Sequence, residues 1–169
     1  MPKSEGVKKH GNTWSVMSNE VSLSTTAYGA GDQMGGLLTF SDVLETDIGG
    51  GAIVGVEIID TSTVAAKLDL ILFQNALSTG TKTTSTSDNT AWDLADTDLA
   101  KVVDVVQFST GNIRFLADNS IHTTASTIDI PFYLAGGNDM YGMIVSQATP
   151  TYATGDALAV RLTVRRDAE

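Results

Sequence analysis

A chain of 169 residues without cysteine is long enough for one domain whose core needs no disulfide, and it excludes disulfide scaffolds, thiolate zinc sites and cysteine nucleophiles. The net charge is −10, and residues 20–156 alone carry seventeen acidic against four basic side chains, which disfavours binding to a nucleic-acid backbone. No run approaches the roughly 18 apolar residues of a membrane span, and the N-terminus lacks the apolar stretch of a signal peptide, so we expect neither membrane insertion nor export from the cytoplasm by a cleaved leader.

The N-terminal residues 1–13 are polar, contain two glycines and a proline, and show no apolar periodicity. This pattern predicts a flexible arm, followed by a single domain over residues 14–169. The arm is basic in an acidic protein, and an aromatic residue of the kind that anchors interfaces follows it. We therefore predict interface roles for Lys3, Lys8, Lys9 and Trp14; a tail without a role is the alternative.

Short runs of alternating apolar and polar residues fill the rest of the chain. In the clearest, residues 157–165, four aliphatic side chains point to one face and arginine or threonine to the other. Nine such runs separated by glycine-rich turns predict an all-β protein, a single jelly-roll-like antiparallel β-sandwich. The predicted strands are Trp14–Leu23, Gln33–Phe40, Ala52–Asp60, Lys67–Asn75, Val102–Phe108, Ile113–Ala117, Thr124–Leu134, Met140–Gln147 and Ala157–Arg165.

Three apolar residues fall on faces that the alternation marks as outward: Ile59, Ile71 and Phe73. An outward apolar face is covered either by a loop of the same chain or by a neighbouring subunit. We therefore predict that these three residues lie in an interface and that the protein forms a homo-dimer or homo-trimer.

Between the strands, three segments carry further signals. The amide-free Pro131 inside a strand pattern predicts an edge strand or a bulge. Residues 78–90 are rich in serine and threonine and predict a surface loop. Residues 92–101 predict one or two helical turns at most, because their two leucines do not share a helix face.

Motifs for chemistry are incomplete. The turn at residues 28–35 resembles a dinucleotide loop, but Met34 stands where the third glycine belongs. The acidic stretch with Asp93, Asp96 and Asp98 lacks the ligand spacing of an EF-hand, so we predict a solvated loop. Neither His10 nor His122 has a ligand-spaced partner. We predict no cofactor, no metal and no catalytic residue, although a serine–histidine pair made by the fold cannot be seen in a sequence.

Packing and turn motifs across residues 20–166 resemble a family of small virion structural proteins of tailed bacteriophages. Several of those are similar to head decoration or cement proteins with jelly-roll-like folds. The motifs that carry the resemblance are residues 27–38, 68–73, 94–101, 131–137 and 140–145.

The resemblance implies a noncatalytic capsid decoration or cement protein, located on the virion surface. Its partners would be the major capsid protein and further copies of itself, and it would stabilise the head. A carbohydrate-binding or adhesin-type sandwich module is the alternative. An esterase or glycosidase is the least supported, because two carboxylates are always available among twenty acidic residues.

Overall fold

The chain folds into two antiparallel β-sheets packed face to face. The computed structural model describes residues 12–45, 49–78 and 87–166. Its strands are β1 (Thr13–Met17), β2 (Val21–Ser22), β3 (Gln33–Phe40), β4 (Gly49–Asp60), β5 (Leu68–Phe73), β6 (Val102–Phe108), β7 (Ile113–Leu116), β8 (Asn119–Thr123), β9 (Ile130–Leu134), β10 (Met140–Ser146) and β11 (Ala157–Arg166). Two short 3₁₀ helices, Leu99–Lys101 and Thr110–Asn112, are the helical elements of the described part.

The larger sheet has seven strands in the order β1-β11-β4-β8-β7, with β2 paired to β11 and β9 paired to β4. The 12-residue β4 pairs with β9 along its first half and with β8 along its second. The smaller sheet has four strands in the order β3-β10-β5-β6. We call these the large sheet and the small sheet.

The main core lies between the two sheets. Along β11, the four aliphatic residues of the alternating run are buried and face the small sheet, while the residues between them face outward. From the small sheet, Leu68, Leu70 and Leu72 on β5 enter the same core. Burial of alternate residues on both inner faces stabilises the sandwich.

The predicted antiparallel β-sandwich is confirmed, and the jelly-roll topology stays a prediction. The predicted bounds of β3 and β6 agree with the structure. Pro131 lies in β9, which pairs with β4 alone among the described strands, as expected for a residue without an amide hydrogen. In the region of the predicted helical turns, the structure has the 3₁₀ helix Leu99–Lys101.

Several boundaries were predicted wrongly. The strand predicted over Trp14–Leu23 is divided into β1 and β2, and β4 begins at Gly49 rather than at Ala52. The strand predicted over Thr124–Leu134 begins only at Ile130, and β8, which was not predicted, covers Asn119–Thr123 instead. β8 was missed because most of its residues are polar, so the alternation of its buried and outward residues does not appear as an alternation of apolar and polar residues. β1 also begins at Thr13, and Arg166 donates its amide to the carbonyl of Asn12, so the sheet extends one or two residues into the predicted arm.

Candidate interaction surface

The outer face of the large sheet is left uncovered by the described residues. On β11, Ala159, Arg161 and Thr163 point to this side, and none of them is buried. Directly opposed residues of antiparallel strands share a face, so the register extends this surface across the neighbouring strands. We call it the open face.

Apolar side chains lie at the centre of the open face. Ile59 on β4 is opposed by Ala159 on one side and by Ile121 of β8 on the other. Met17 of β1, which opposes Arg161 one row away, is 45% exposed. The predicted interface residue Ile59 is therefore on an uncovered face.

Small residues make part of the open face flat. Ser15, Thr163 and Gly55 form one row across β1, β11 and β4. A Cβ on Gly55 would lie 3.1 Å from the Cβ of Thr163, so a side chain there would crowd its neighbour. A flat surface of this kind can pack against another flat protein surface with few gaps.

Two arginines on and beside the open face are paired with acidic side chains of the chain. Arg161 donates to Glu57 at 2.9 Å, and Arg165 donates to Asp129 at 3.0 Å. Because these pairs are exposed, each contributes little to stability. The pairing matters for binding, because a partner that covers these side chains buries charges that already have a counter-ion.

The outer face of the small sheet, in contrast, is covered by the chain itself over much of its area. Residues 87–101, which we call the covering segment, place Trp92 and Leu94 against a second apolar cluster of Ile71, Phe73, Met143 and Val145. The segment is fixed to β3 at one end, where Gln33 donates its amide to the carbonyl of Thr90 at 2.8 Å. Near its other end, Gln74 donates its amide to the carbonyl of Lys101 at 3.0 Å.

Burial within the chain changes the interpretation of three predicted interface residues. Ile71 is 4% exposed and Phe73 is fully buried, because the covering segment packs on them; a neighbouring subunit is not needed to cover them. Trp14 is 7% exposed and belongs to the core between the sheets, where β1 points it inward opposite Val164. Lys3, Lys8 and Lys9 lie outside the described residues.

The fold makes a buried polar cluster that the sequence did not reveal. His122 Nε2 lies 3.3 Å from Asp60 Oδ2 and 3.4 Å from Ser120 Oγ, and all three residues are fully buried. In a hydrolytic triad the serine and the acid contact different ring nitrogens. Here both contact the same nitrogen, and His122 Nδ1 has no partner within the described part of the chain. The arrangement fits a packing role.

The acidic stretch is only partly a solvated loop. Asp98 is fully buried; it accepts hydrogen bonds from the amide and hydroxyl of Ser78 at 2.9 and 2.6 Å and pairs with Lys101 at 2.8 Å. The prediction of a solvated loop was wrong for this residue, because its carboxylate ties the covering segment to residue 78. Asp93 and Asp96 are exposed, as expected.

The sequence missed part of the open face. Ile121 lies in β8, the strand that was not predicted, and Met17 and the 57% exposed Tyr133 gave no signal beyond ordinary alternation. Register, which only pairing reveals, places Ile121 beside Ile59. Alternation in residues 119–123 was the one available signal, with isoleucine on the opposite face from serine and histidine.

Comparison with known proteins adds no assignment: no protein-family model and no curated protein matches this chain. Within residues 12–45, 49–78 and 87–166, no three histidine or acidic side chains group as metal ligands would. None of the helices in that part is long and apolar enough to cross a bilayer.

Proposed function

We propose that this protein is a noncatalytic virion structural protein that binds the outer shell of a tailed-phage capsid and stabilises the head. The observation that carries the proposal is the open face, a flat surface with an apolar centre and paired charges that the described residues leave uncovered. The resemblance of residues 20–166 to phage virion proteins supplies the partner class.

The physical basis of stabilisation is linkage. A protein that binds the assembled shell and not its separated subunits shifts the equilibrium towards the assembled form, and the effect grows with the logarithm of its free concentration. The open face supplies such a contact without chemistry, because displacing water from its apolar side chains Ile59, Ile121 and Met17 is favourable. Capsid decoration of this kind needs no cofactor.

The test uses particles of the encoding virus from which this gene has been deleted. Purified protein is mixed with these particles, bound copies are counted after gradient sedimentation, and head rupture on heating is followed by a DNA-binding dye. We expect saturable binding and a higher rupture temperature. Ile59→Lys should reduce both, while Thr25→Lys, an exposed substitution away from the open face, should leave both unchanged.

Urea unfolding of both variants checks that a loss of particle binding does not come from a folding defect. If the unmodified protein neither binds the particles nor raises their rupture temperature, the proposal is wrong. Binding to an array of glycans in that case would support the carbohydrate-binding module instead.

A further inference from the structure

A groove with one acidic end lies on the outer face of the small sheet, where the covering segment stops short of the end of β5. Its volume is about 250 Å³, and its apolar walls include Trp92, Leu99 and Val105. Leu99 is 65% and Val105 44% exposed, so these apolar groups face solvent. Asp69 and Gln147 stand at the end where the groove joins a wider cleft.

Asp69 lines this groove from the outer face of β5. It lies on β5 opposite Gln107 of β6, and the side-chain amides of Gln107 and Gln147 lie beside its carboxylate at this end of the groove. Burial raises the pKa of this carboxyl above its usual range, against the effect of the two amide donors. No cation pairs with it within the described part of the chain. A carboxylate in an apolar groove without a cation is a site for a positively charged group.

The surroundings of the groove favour a cationic occupant. Residues 88–104 carry five aspartates and a single base, Lys101, which already pairs with Asp98. Lys67 lines the adjoining cleft but not the groove. A long aliphatic side chain with a charged end suits such a groove, because its stem packs on apolar walls while its ammonium reaches the carboxylate. Lysine has this shape.

We propose that the N-terminal segment of a second copy of this chain, residues 1–11, docks in this groove and places Lys8 or Lys9 at Asp69. Charge complementarity supports this occupant, since three of the ten basic residues of an acidic protein lie in these eleven. This inference goes beyond the proposed shell binding and rests on the homo-dimer or homo-trimer predicted from the sequence.

Chain length favours a second copy over the same chain. Lys9 lies four residues before Thr13, so its Cα stays within about 14 Å of the start of β1. To reach the groove of its own chain from β1, the segment must pass around the edge of the sandwich. That path crosses one spacing between the sheets, about 10 Å, and two or more spacings between strands of about 4.8 Å each. A second copy can be placed so that its groove lies within this reach, and such a head-to-tail contact closes into a ring when the rotation between subunits permits it.

The test is zero-length cross-linking of the full-length protein with a carbodiimide, which joins a lysine amine to a carboxylate that it contacts. An equal mixture of ¹⁵N-labelled and unlabelled protein is cross-linked and mapped by mass spectrometry. We expect Lys8 or Lys9 joined to Asp69, with mixed-isotope pairs showing that the link is between copies. Asp69→Asn should abolish this link, while Asp104→Asn, an exposed neighbour on β6, should leave it.

A second measurement follows self-association by analytical ultracentrifugation. Lys8→Gln with Lys9→Gln should weaken association several-fold, and so should raising the salt concentration, because exposed charges are screened. Links confined to same-isotope pairs, or lysine links to other acids with none to Asp69, would overturn the proposal. Neither measurement uses particles, so failure here is distinguishable from failure of shell binding.

Discussion

Gly35 occupies a place in β3 that no other residue fits. Its φ is +70°, and a Cβ at this position would overlap the side chain of Val21 on β2. The register of β3 with β10 shifts here, so the glycine forms part of a β-bulge. Its amide donates to Asp88 Oδ1 at 2.6 Å, which links the bulge to the covering segment.

Gly35→Ala should lower the free energy of unfolding by about 2–4 kcal/mol, through backbone strain and overpacking against Val21. Gly137→Ala is the matched control, because Gly137 has φ +92° but open space where the Cβ would lie. The free energy of unfolding of Gly137→Ala should fall only by the cost of backbone strain, about 1 kcal/mol. Urea unfolding measures both, and equal losses would show that the contact with Val21 has no effect.

Tyr28 and Tyr152 form an edge-to-face pair, with ring centroids 6.0 Å apart, but their hydroxyls differ. The Tyr28 hydroxyl donates to Asp88 at 2.7 Å and accepts from the amide of Ser24. The Tyr152 hydroxyl is buried without a partner among the described residues. A buried hydroxyl gains nothing from burial unless it makes a hydrogen bond.

We expect Tyr28→Phe to destabilise the protein by about 1–2 kcal/mol, because Asp88 and the Ser24 amide both lose a partner. Tyr152→Phe should change stability by less than about 0.5 kcal/mol or increase it, since it removes an unpaired hydroxyl. Chemical denaturation of the two variants gives the comparison. A large loss for Tyr152→Phe would mean that its hydroxyl has a partner, such as an ordered water.

Alkaline pH should destabilise the fold through the same two residues. Burial raises the pKa of both tyrosines, so the folded state keeps their protons at a pH where the unfolded chain has lost them. This contribution is fully present below the unfolded pKa of about 10 and is lost as the pH rises towards the folded value. Unfolding from pH 8 to 11.5 should show a decline that is shallower in Tyr28→Phe and Tyr152→Phe; identical slopes would contradict this explanation.

At the scale of elements, the covering segment determines which sheet face is available to partners. It buries Ile71 and Phe73 of β5 and Met143 and Val145 of β10 under Trp92 and Leu94. The large sheet has no equivalent among the described residues, so the two faces of the sandwich are unequal. An apolar outward residue can therefore mean either a covered face, as at Phe73, or an open one, as at Ile59.

Leu94→Ala should loosen the covering segment and cost about 1–2 kcal/mol, because Leu94 is half-buried against the second apolar cluster. Exposure of that cluster should also increase the fluorescence of a dye that binds apolar surface. Leu99→Ala removes the same atoms from a residue that is 65% exposed and should change stability by less than about 0.5 kcal/mol. The interpretation fails if the two variants behave alike.

At the scale of the whole molecule, repulsion between negatively charged side chains is the dominant long-range interaction. Residues 20–156 carry a net charge of −13, and the ion pairs Arg161–Glu57 and Arg165–Asp129 are too exposed to offset much of it. Repulsion among the remaining acids opposes the compact state. Bound partners that bring positive charge would relieve it.

Raising sodium chloride from 0.05 to 0.5 M should therefore raise Tm by a few degrees, because salt screens repulsion more than it weakens the few exposed ion pairs. Choline chloride, whose cation does not bind carboxylates specifically, should have the same effect. A Tm that falls with either salt would show that attractive pairs outweigh repulsion. A rise with sodium alone would point to specific cation binding.

The sequence by itself determined the class of fold and much of the core. Alternation in β11 identified the inward residues, because side chains in a strand point to opposite faces whatever surrounds them. Turn glycines marked strand ends, and Pro131 marked an edge strand. These signals are local as well, because a positive φ and a missing amide hydrogen are properties of the residue itself. The outward position of Ile59 follows from the same local rule.

Tertiary structure alone decided what covers each face and which polar residues meet. Alternation marked Ile71 and Phe73 as outward, but only the path of residues 87–101 buries them. His122 meets Asp60 across 62 positions of sequence, and Ile121 meets Ile59 through a strand register that no local pattern encodes. These contacts depend on where distant segments are placed, and that placement minimises the free energy of the whole chain rather than of any single strand.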